Sequence, residues 1–332
     1  MDSLDRRRSR CYDLAKVLTI VMVVVHHAAA FYSPHAAMAP ARESAFLGGL
    51  AAYVDCINVR LFVLVAGAVW GYCIRHGKYR QNGPFLLGKL RRLGVPYLFF
   101  GLCTVAPVVV LCGYTDEPFF RFCLRGILLG YDSRHLWFLL VLLLLFVSTL
   151  ALKPLVKRDP LWTLPICVAL FLIAGHMPLI FKLRTACKYA LFFYLGVCVD
   201  RYYEPLEAWA KKLRWAIPIP FVLLVGCVLW NPNFITDAAY TLMGLAGALA
   251  LMMNLTDAES LPQTRVYQIL QRDGFGLYLI HAMVIYVLFY FLGGSQIPPL
   301  VMFLLALAVS MAVGIGGSEL LRRAGLGVLL GE

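Results

Sequence analysis

Long apolar runs alternate with short basic interruptions along this whole chain. A run of roughly 18 or more apolar residues is long enough to cross a hydrocarbon core as a helix. The pattern predicts ten such segments: 14–32, 47–73, 94–113, 135–152, 160–176, 187–203, 214–231, 238–254, 274–292 and 297–318. The implied fold is all-α, a polytopic transmembrane helical bundle of about ten spans. It forms a single domain over 1–332, because no polar stretch is long enough for a second one. Residues 116–131 read as an amphipathic segment on the outer surface. Neither the inverted nor the parallel repeat that many transporters carry is visible.

Composition agrees. The 332 residues are 61% hydrophobic and 14% charged, with mean hydropathy +0.78; a soluble domain carries about 25% charged residues. The net charge of +12 raises the question of nucleic acid. Its distribution answers it: Lys and Arg gather in alternate short loops, as topology signals do, and no nucleic-acid-binding motif accompanies them. With the N-terminus inside, the inner segments collect Arg6, Arg7, Arg8 and Arg10, the 75–92 loop, and the basic residues of 153–158, 201–214, 265–272 and 322–323. The outer loops hold fewer: Arg42, Arg121, Arg125, Arg134, Lys182, Arg184 and Lys188. Both termini are therefore expected in the cytoplasm.

The ten cysteines show no CxxC or metal-type spacing and mostly fall in apolar segments, where Cys behaves as a small hydrophobe. No disulfide framework and no metal site are expected. RRRSR, then VLTIVMVVV and AAAFYS, imitates a secretory leader. The polar positions inside that stretch argue for its retention.

Those positions are Lys16 and His27, eleven residues apart on the first span. Eleven steps make three turns plus about 20°, so both side chains share one face, roughly 16 Å apart along the axis. Asp13 falls within about 40° of that face. Ionisable groups at membrane depth are expensive and read by default as functional. A cation near the inner mouth and a deep imidazole suit a long anionic donor threaded inward. The bland alternative is a histidine bonded to a neighbouring helix and a lysine snorkelling to the headgroups.

The loop RHGKYRQNGPFLLGKLRR supplies Lys89, Arg91 and Arg92 just before the third span. They are suited either to phosphate binding or to plain inner-face anchoring. Arg60 lies near the middle of span two and must find a partner, either a structural carboxylate from another helix or a substrate group. His135 and Trp137, in SRHLWFLL, stand at the outer start of span four. Trp137 fits an interfacial aromatic belt, and His135 either lines an outer vestibule or packs. His281, in FGLYLIHAMVIY, suits an interhelical hydrogen bond or a site. No GxSxG, HExxH, P-loop or GxGxxG is present, so hydrolase, zincin and nucleotide-motor readings lack support.

Taken together these stretches resemble the acyltransferase-3 family of bacterial integral membrane O-acyltransferases. Asp13-x-x-Lys16 followed by His27 is similar to the family's opening motif. VRLFVLVAGAVWGY, KLRRLGVPYLF, HLWFLL, FFYLGVCVDRY and FGLYLIHAMV are similar to its later blocks, in the same order. The resemblance implies transfer of an acyl group, usually acetyl from acetyl-CoA, to a hydroxyl of a cell-surface glycan or its precursor, in the bacterial inner membrane. His27 would be the base or would itself take and relay the acyl group, with Lys16 and Asp13 as its catalytic companions. Lys16, Lys89, Arg91 and Arg92 would hold the donor, and Arg60, His135, Trp137 and His281 the acceptor side. Three departures stand out: Lys for Arg at 16 and 89, which loses the bidentate fork; Ala66 for the usual serine; and Arg60 where an apolar residue or proline is usual. His26, beside His27, is the competing imidazole. The runner-up function is a proton-coupled exporter of a small polar metabolite, and a third is a membrane sensor or assembly factor.

Overall fold

The computed structural model describes residues 3–33, 40–213, 237–255 and 264–332. Among them every regular element is helical and no strand occurs. The principal helices are α1 (Ser3–Ala30), α2 (Ala45–Arg75), α3 (Asn82–Leu111), α4 (Arg134–Arg158), α5 (Pro160–His176), α6 (Leu183–Arg201), α7 (Tyr203–Leu213), α8 (Asp237–Asn254), α9 (Arg265–Leu292) and α10 (Pro299–Arg323).

Six described helices are long and apolar enough to cross a membrane: α1 from Asp5, α2, α3, α4, α9 and α10. The segments Pro160–His176 and Gly244–Asn254 are apolar but shorter. α6 covers the expected 187–203 span, but Arg184, Lys188, Asp200 and Arg201 keep it out of the apolar group. The expected 214–231 span lies outside the described residues. The segment expected to be amphipathic is helical over 119–128, with Phe120 85% exposed.

α1 begins well before its apolar run, and one charge of its first turns, Arg8, is buried by partners rather than solvated. Arg8 is 3% exposed, lies 3.8 Å from the Asp200 carboxylate and sits over the Tyr203 ring. Asp200 is the hub of this end of the bundle. It accepts two bonds from Arg75, at 2.8 and 2.9 Å, and one from the Tyr12 hydroxyl at 3.0 Å. α1, α2 and α6 are thus tied at one end, called here the basic end. A second hub, buried Asp273, holds Arg272 and Arg322 and ties α9 to α10 at the same end.

α2 is the central strut, packed against α1, α6 and α8. Its contact with α6 needs two glycines. A Cβ on Gly67 would run into the Phe193 carbonyl, and one on Gly196 into the Leu64 carbonyl. The helix backbones therefore meet directly, as small residues at helix interfaces allow. The Ala66–Gly67 pair divides its work: Gly67 faces α6 while Ala66 faces a cavity.

α3 is wound unevenly, with π turns at Leu90–Gly94 and Gly101–Val105. Each is followed closely by a proline, Pro96 or Pro107. Proline lacks the N–H and clashes with the carbonyl four residues back, and a local π turn relieves both conflicts. The first π turn falls on Arg91 and Arg92.

Candidate functional site

Two cavities lie one above the other inside the bundle. The larger, about 380 Å³, opens toward the basic end. Its charged lining is Asp13, Lys16, Lys89 and Arg92, while most of the remaining wall is apolar, including Val17, Ile20, Val65, Ala66, Trp70, Leu142 and Phe146. A second hollow, about 440 Å³, lies against Tyr79, Arg80, Gln81 and Phe85 and shares Tyr79, Lys89 and Arg92 with the first. Lys16 pairs with Asp13 at 2.9 Å, one turn away on α1. The Lys89 ammonium stands 3.9 Å from the Phe146 ring centre, with Tyr79 and Phe85 at 5.5 and 5.7 Å. Such a cage of ring faces holds a cation without neutralising it. The cavity thus has a cationic entrance and an apolar shaft.

The smaller chamber, about 50 Å³, lies deeper and is lined by His26, His27, Asp55, Asn58, His135 and Trp137 among others. Here three helices bring three imidazoles together. The ring of His27 (α1) lies 5.0 Å from that of His281 (α9) and 6.2 Å from that of His135 (α4), and His135 and His281 are 5.5 Å apart. His281 Nδ1 donates to the carbonyls of Leu277 and Tyr278, at 3.0 and 2.8 Å. His135 Nε2 donates to the Leu279 carbonyl at 3.1 Å. Carbonyl oxygens accept only, so each ring carries its proton on the bonded nitrogen when neutral. The other nitrogens, His281 Nε2 and His135 Nδ1, are buried without a partner. A buried unpaired polar atom is rare and calls for an explanation. Both are acceptors placed within the histidine cluster. His135 and His281 are 5% and 0% exposed, whereas His27 retains accessible surface and makes only ring contacts among the described residues.

The sequence-derived candidates therefore sort cleanly. Asp13, Lys16, Lys89 and Arg92 share the large cavity, and His27, His135 and Trp137 share the small one. His281 touches His27 from behind. Arg91 lines neither cavity nor the outer hollow, because consecutive helical residues point about 100° apart while Lys89 and Arg92, three apart, are neighbours. Arg60 also lies apart. Its Nη1 donates to the Asp55 and Cys56 carbonyls of its own helix at 3.0 and 3.2 Å, and its guanidinium sits 5.9 Å from the Tyr189 and Phe192 ring centres.

Sequence reasoning missed four contributors. Phe62, Phe138 and Tyr278 line both the large cavity and the histidine chamber. Tyr278 was within reach, standing three residues before His281 with its hydroxyl on the His135 carbonyl; Phe62 and Phe138 look like ordinary span residues in the sequence. Asp55 is the fourth, with Oδ1 3.8 Å from His26 Nε2 while His26 Nδ1 meets the Ala51 carbonyl. His26 thus turns toward α2, and His27 faces His135 and His281. No group of three or more His, Cys, Asp or Glu among the described residues is arranged to hold a metal.

Comparison with curated proteins and with solved structures returned no significant match. A family model described as an acyltransferase domain does match, over residues 10–319. That stretch contains both cavities, all three clustered histidines and every helix that builds them, and the chain belongs to the acyltransferase-3 family.

Proposed function

We propose that this protein is an integral membrane O-acyltransferase. It moves an acyl group, acetyl from cytoplasmic acetyl-CoA, to a hydroxyl of a cell-surface glycan or its precursor. The reading places the basic end in the cytoplasm, with ten crossings of a bacterial inner membrane and both termini inside. One observation carries it: His27, the accessible imidazole of the cluster, stands beyond a cavity whose entrance holds Lys16, Lys89 and Arg92. Cations at the entrance suit donor phosphates, and the apolar shaft suits the pantetheine arm.

The chemistry follows from the tautomers. With Nδ1–H of His281 committed to backbone, its Nε2 lone pair is free to accept an N–H from His27, which leaves the other His27 nitrogen as base. That nitrogen takes the acceptor's hydroxyl proton as the oxygen attacks the thioester carbonyl. The new C–O bond forms, the C–S bond breaks, and the His27 imidazolium returns the proton to the leaving thiolate. The products are an ester and free CoA. Asp13 holds Lys16 in place at the entrance, and Trp137 and His135 line the chamber where the acceptor enters.

The test uses the full chain purified into nanodiscs with membrane extract from its host as acceptor source. Acetyl-CoA should be converted to free CoA thiol, and His27→Ala should stop this without lowering yield or thermal stability. Absence of acyl-CoA-dependent thiol release, with proton-coupled uptake in sealed vesicles instead, would replace the enzyme by an exporter.

A further inference from the structure

The two chambers share one wall. Phe62 from α2, Phe138 from α4 and Tyr278 from α9 line both, and no other described residue does. The three rings form a continuous collar. Phe62 and Phe138 meet edge-to-face at 4.9 Å, and Phe138 and Tyr278 at 5.8 Å. Tyr278 is pinned by its bond to the His135 carbonyl, and Phe138 and Tyr278 are 4% and 5% exposed. Neighbouring rings hold Phe138 from the side, Trp137 at 6.2 Å among them. Such a collar is rigid on the side of α4 and α9 and freer at Phe62, which is partly exposed to the cavities.

The volumes on its two sides differ sharply. The donor cavity holds about 380 Å³, the histidine chamber about 50 Å³. A single water needs roughly 10–15 Å³ of such space, so the chamber has room for only a few waters. That space takes a short acyl group beside His27, whereas the donor cavity is several times roomier.

We propose that the Phe62–Phe138–Tyr278 collar sets the acyl chain length, admitting acetyl to the histidine chamber and holding longer acyl chains in the donor cavity. This rests on the acyl-CoA reading of the preceding section. The bonds made and broken are those given there; the collar only decides which thioester carbonyl reaches His27. A single methylene in a tight apolar site is worth roughly 10–200-fold in specificity. Discrimination of acetyl from butyryl should therefore exceed tenfold.

The experiment measures kcat/KM for thiol release from acetyl-, propionyl- and butyryl-CoA, with the protein in membranes of its own host. Wild type should fall steeply along that series. Phe62→Ala and the milder Phe62→Leu should raise butyryl turnover in absolute terms and compress the acetyl-to-butyryl ratio by at least tenfold and severalfold, respectively. Phe138→Leu should act in the same direction, and thermal stability is recorded for each variant. Equal use of acetyl and butyryl by wild type would overturn the collar while leaving the enzyme. So would a Phe62→Leu variant that stays folded and slows on all three donors in proportion. No thiol release from any donor would remove the acyl-CoA reading, and the collar's role with it.

Discussion

The Nε2 atom of His281 is buried without a partner, 5.0 Å ring to ring from His27, while its Nδ1 is taken by two backbone carbonyls. A helix that needed a histidine here only for packing would leave a polar atom unsatisfied at a cost of about 1–3 kcal/mol. On the proposed function, an acceptor facing the His27 base accounts for that cost. His27 and His281 are 254 residues apart in sequence, and the pairing comes from α1 packing along α9.

This relationship separates three histidines by role. His27→Ala should lower acyl transfer by about 10²–10⁴-fold, the usual range for a positioned base. His281→Phe should keep the fold and donor KM but reduce kcat by roughly 10–100-fold, the scale of losing an orienting partner. His26→Ala, whose ring turns toward Ala51 and Asp55, should keep a substantial fraction of activity. Steady-state kinetics on the three variants decides, and equal loss at 26 and 27 would refute the division.

Lys89 and Arg92 face the large cavity, the proposed donor site, whereas Arg91 does not. Lys89→Ala and Arg92→Ala should each raise the acetyl-CoA KM by about tenfold or more, the worth of one charged hydrogen bond. Arg91→Ala should leave it within twofold. Raised salt should weaken donor binding in wild type because a partly exposed site is screened. Titration calorimetry with CoA gives the answer; a matching loss at all three positions would mean that general basicity, rather than placement, holds the donor.

Much of this site was legible in the sequence, and the rest was hidden for physical reasons. His27 and Lys16 share a helix, so 3.6-residue geometry alone puts them on one face. His135 and His281 stood out because imidazoles in apolar spans are costly, although nothing in the chain says that α4 and α9 converge on α1. Arg91 reads like Arg92 as part of one basic run, although α-helix spacing makes Lys89 and Arg92 neighbours and turns Arg91 away from them. The charged start of α1 and the charges on α6 lowered hydropathy where burial is in fact deep, since Arg8 and Asp200 neutralise each other across helices. Phe62 and Phe138 are unremarkable in an aromatic-rich span, and only the cavities single them out.

Two glycines of α2 should respond oppositely to one methyl group. Gly67→Ala forces a Cβ into the Phe193 carbonyl on α6, and backbone cannot give way as a side chain can. The expected loss is about 1–3 kcal/mol, as for overpacking generally. Gly49→Ala meets no atom within 4 Å and should stabilise by about 0.5–1 kcal/mol through helix propensity. Thermal unfolding of both variants in the same detergent tests the close approach of α2 and α6.

At the basic end, Asp200 is wholly buried with Arg75, Arg8 and Tyr12 around it. Asp200→Ala leaves Arg75 without its carboxylate and Arg8 with Asp5 alone, and removing one partner of a buried pair costs up to about 3–5 kcal/mol. Expression and melting temperature should fall together. Donor KM measured on the surviving folded fraction should change little, because the pair lies outside the donor cavity. A stable Asp200→Ala protein would show that other contacts hold α1, α2 and α6 together.

Arg60 is the residue on which sequence and structure pull apart. Its depth in span two suggests a substrate contact, because a guanidinium at the membrane centre costs about 2.5–3.5 kcal/mol on insertion scales. The structure supplies other compensation: two carbonyls of its own helix and the faces of Tyr189 and Phe192, with Gly244 of α8 packed against its stem. Asp55 lines the histidine chamber, whereas Cys56, Tyr189, Phe192 and Gly244 line neither that chamber nor the large cavity. Lysine keeps the charge but cannot span both carbonyls and stack as a plane, so Arg60→Lys should lose about 2 kcal/mol. Arg60→Gln should lose as much or more. If the role is scaffolding, turnover per folded molecule stays near wild type while melting temperature drops. A folded, stable Arg60→Lys enzyme with turnover reduced tenfold or more would instead return Arg60 to the substrate, and would require the acceptor to reach between α2, α6 and α8.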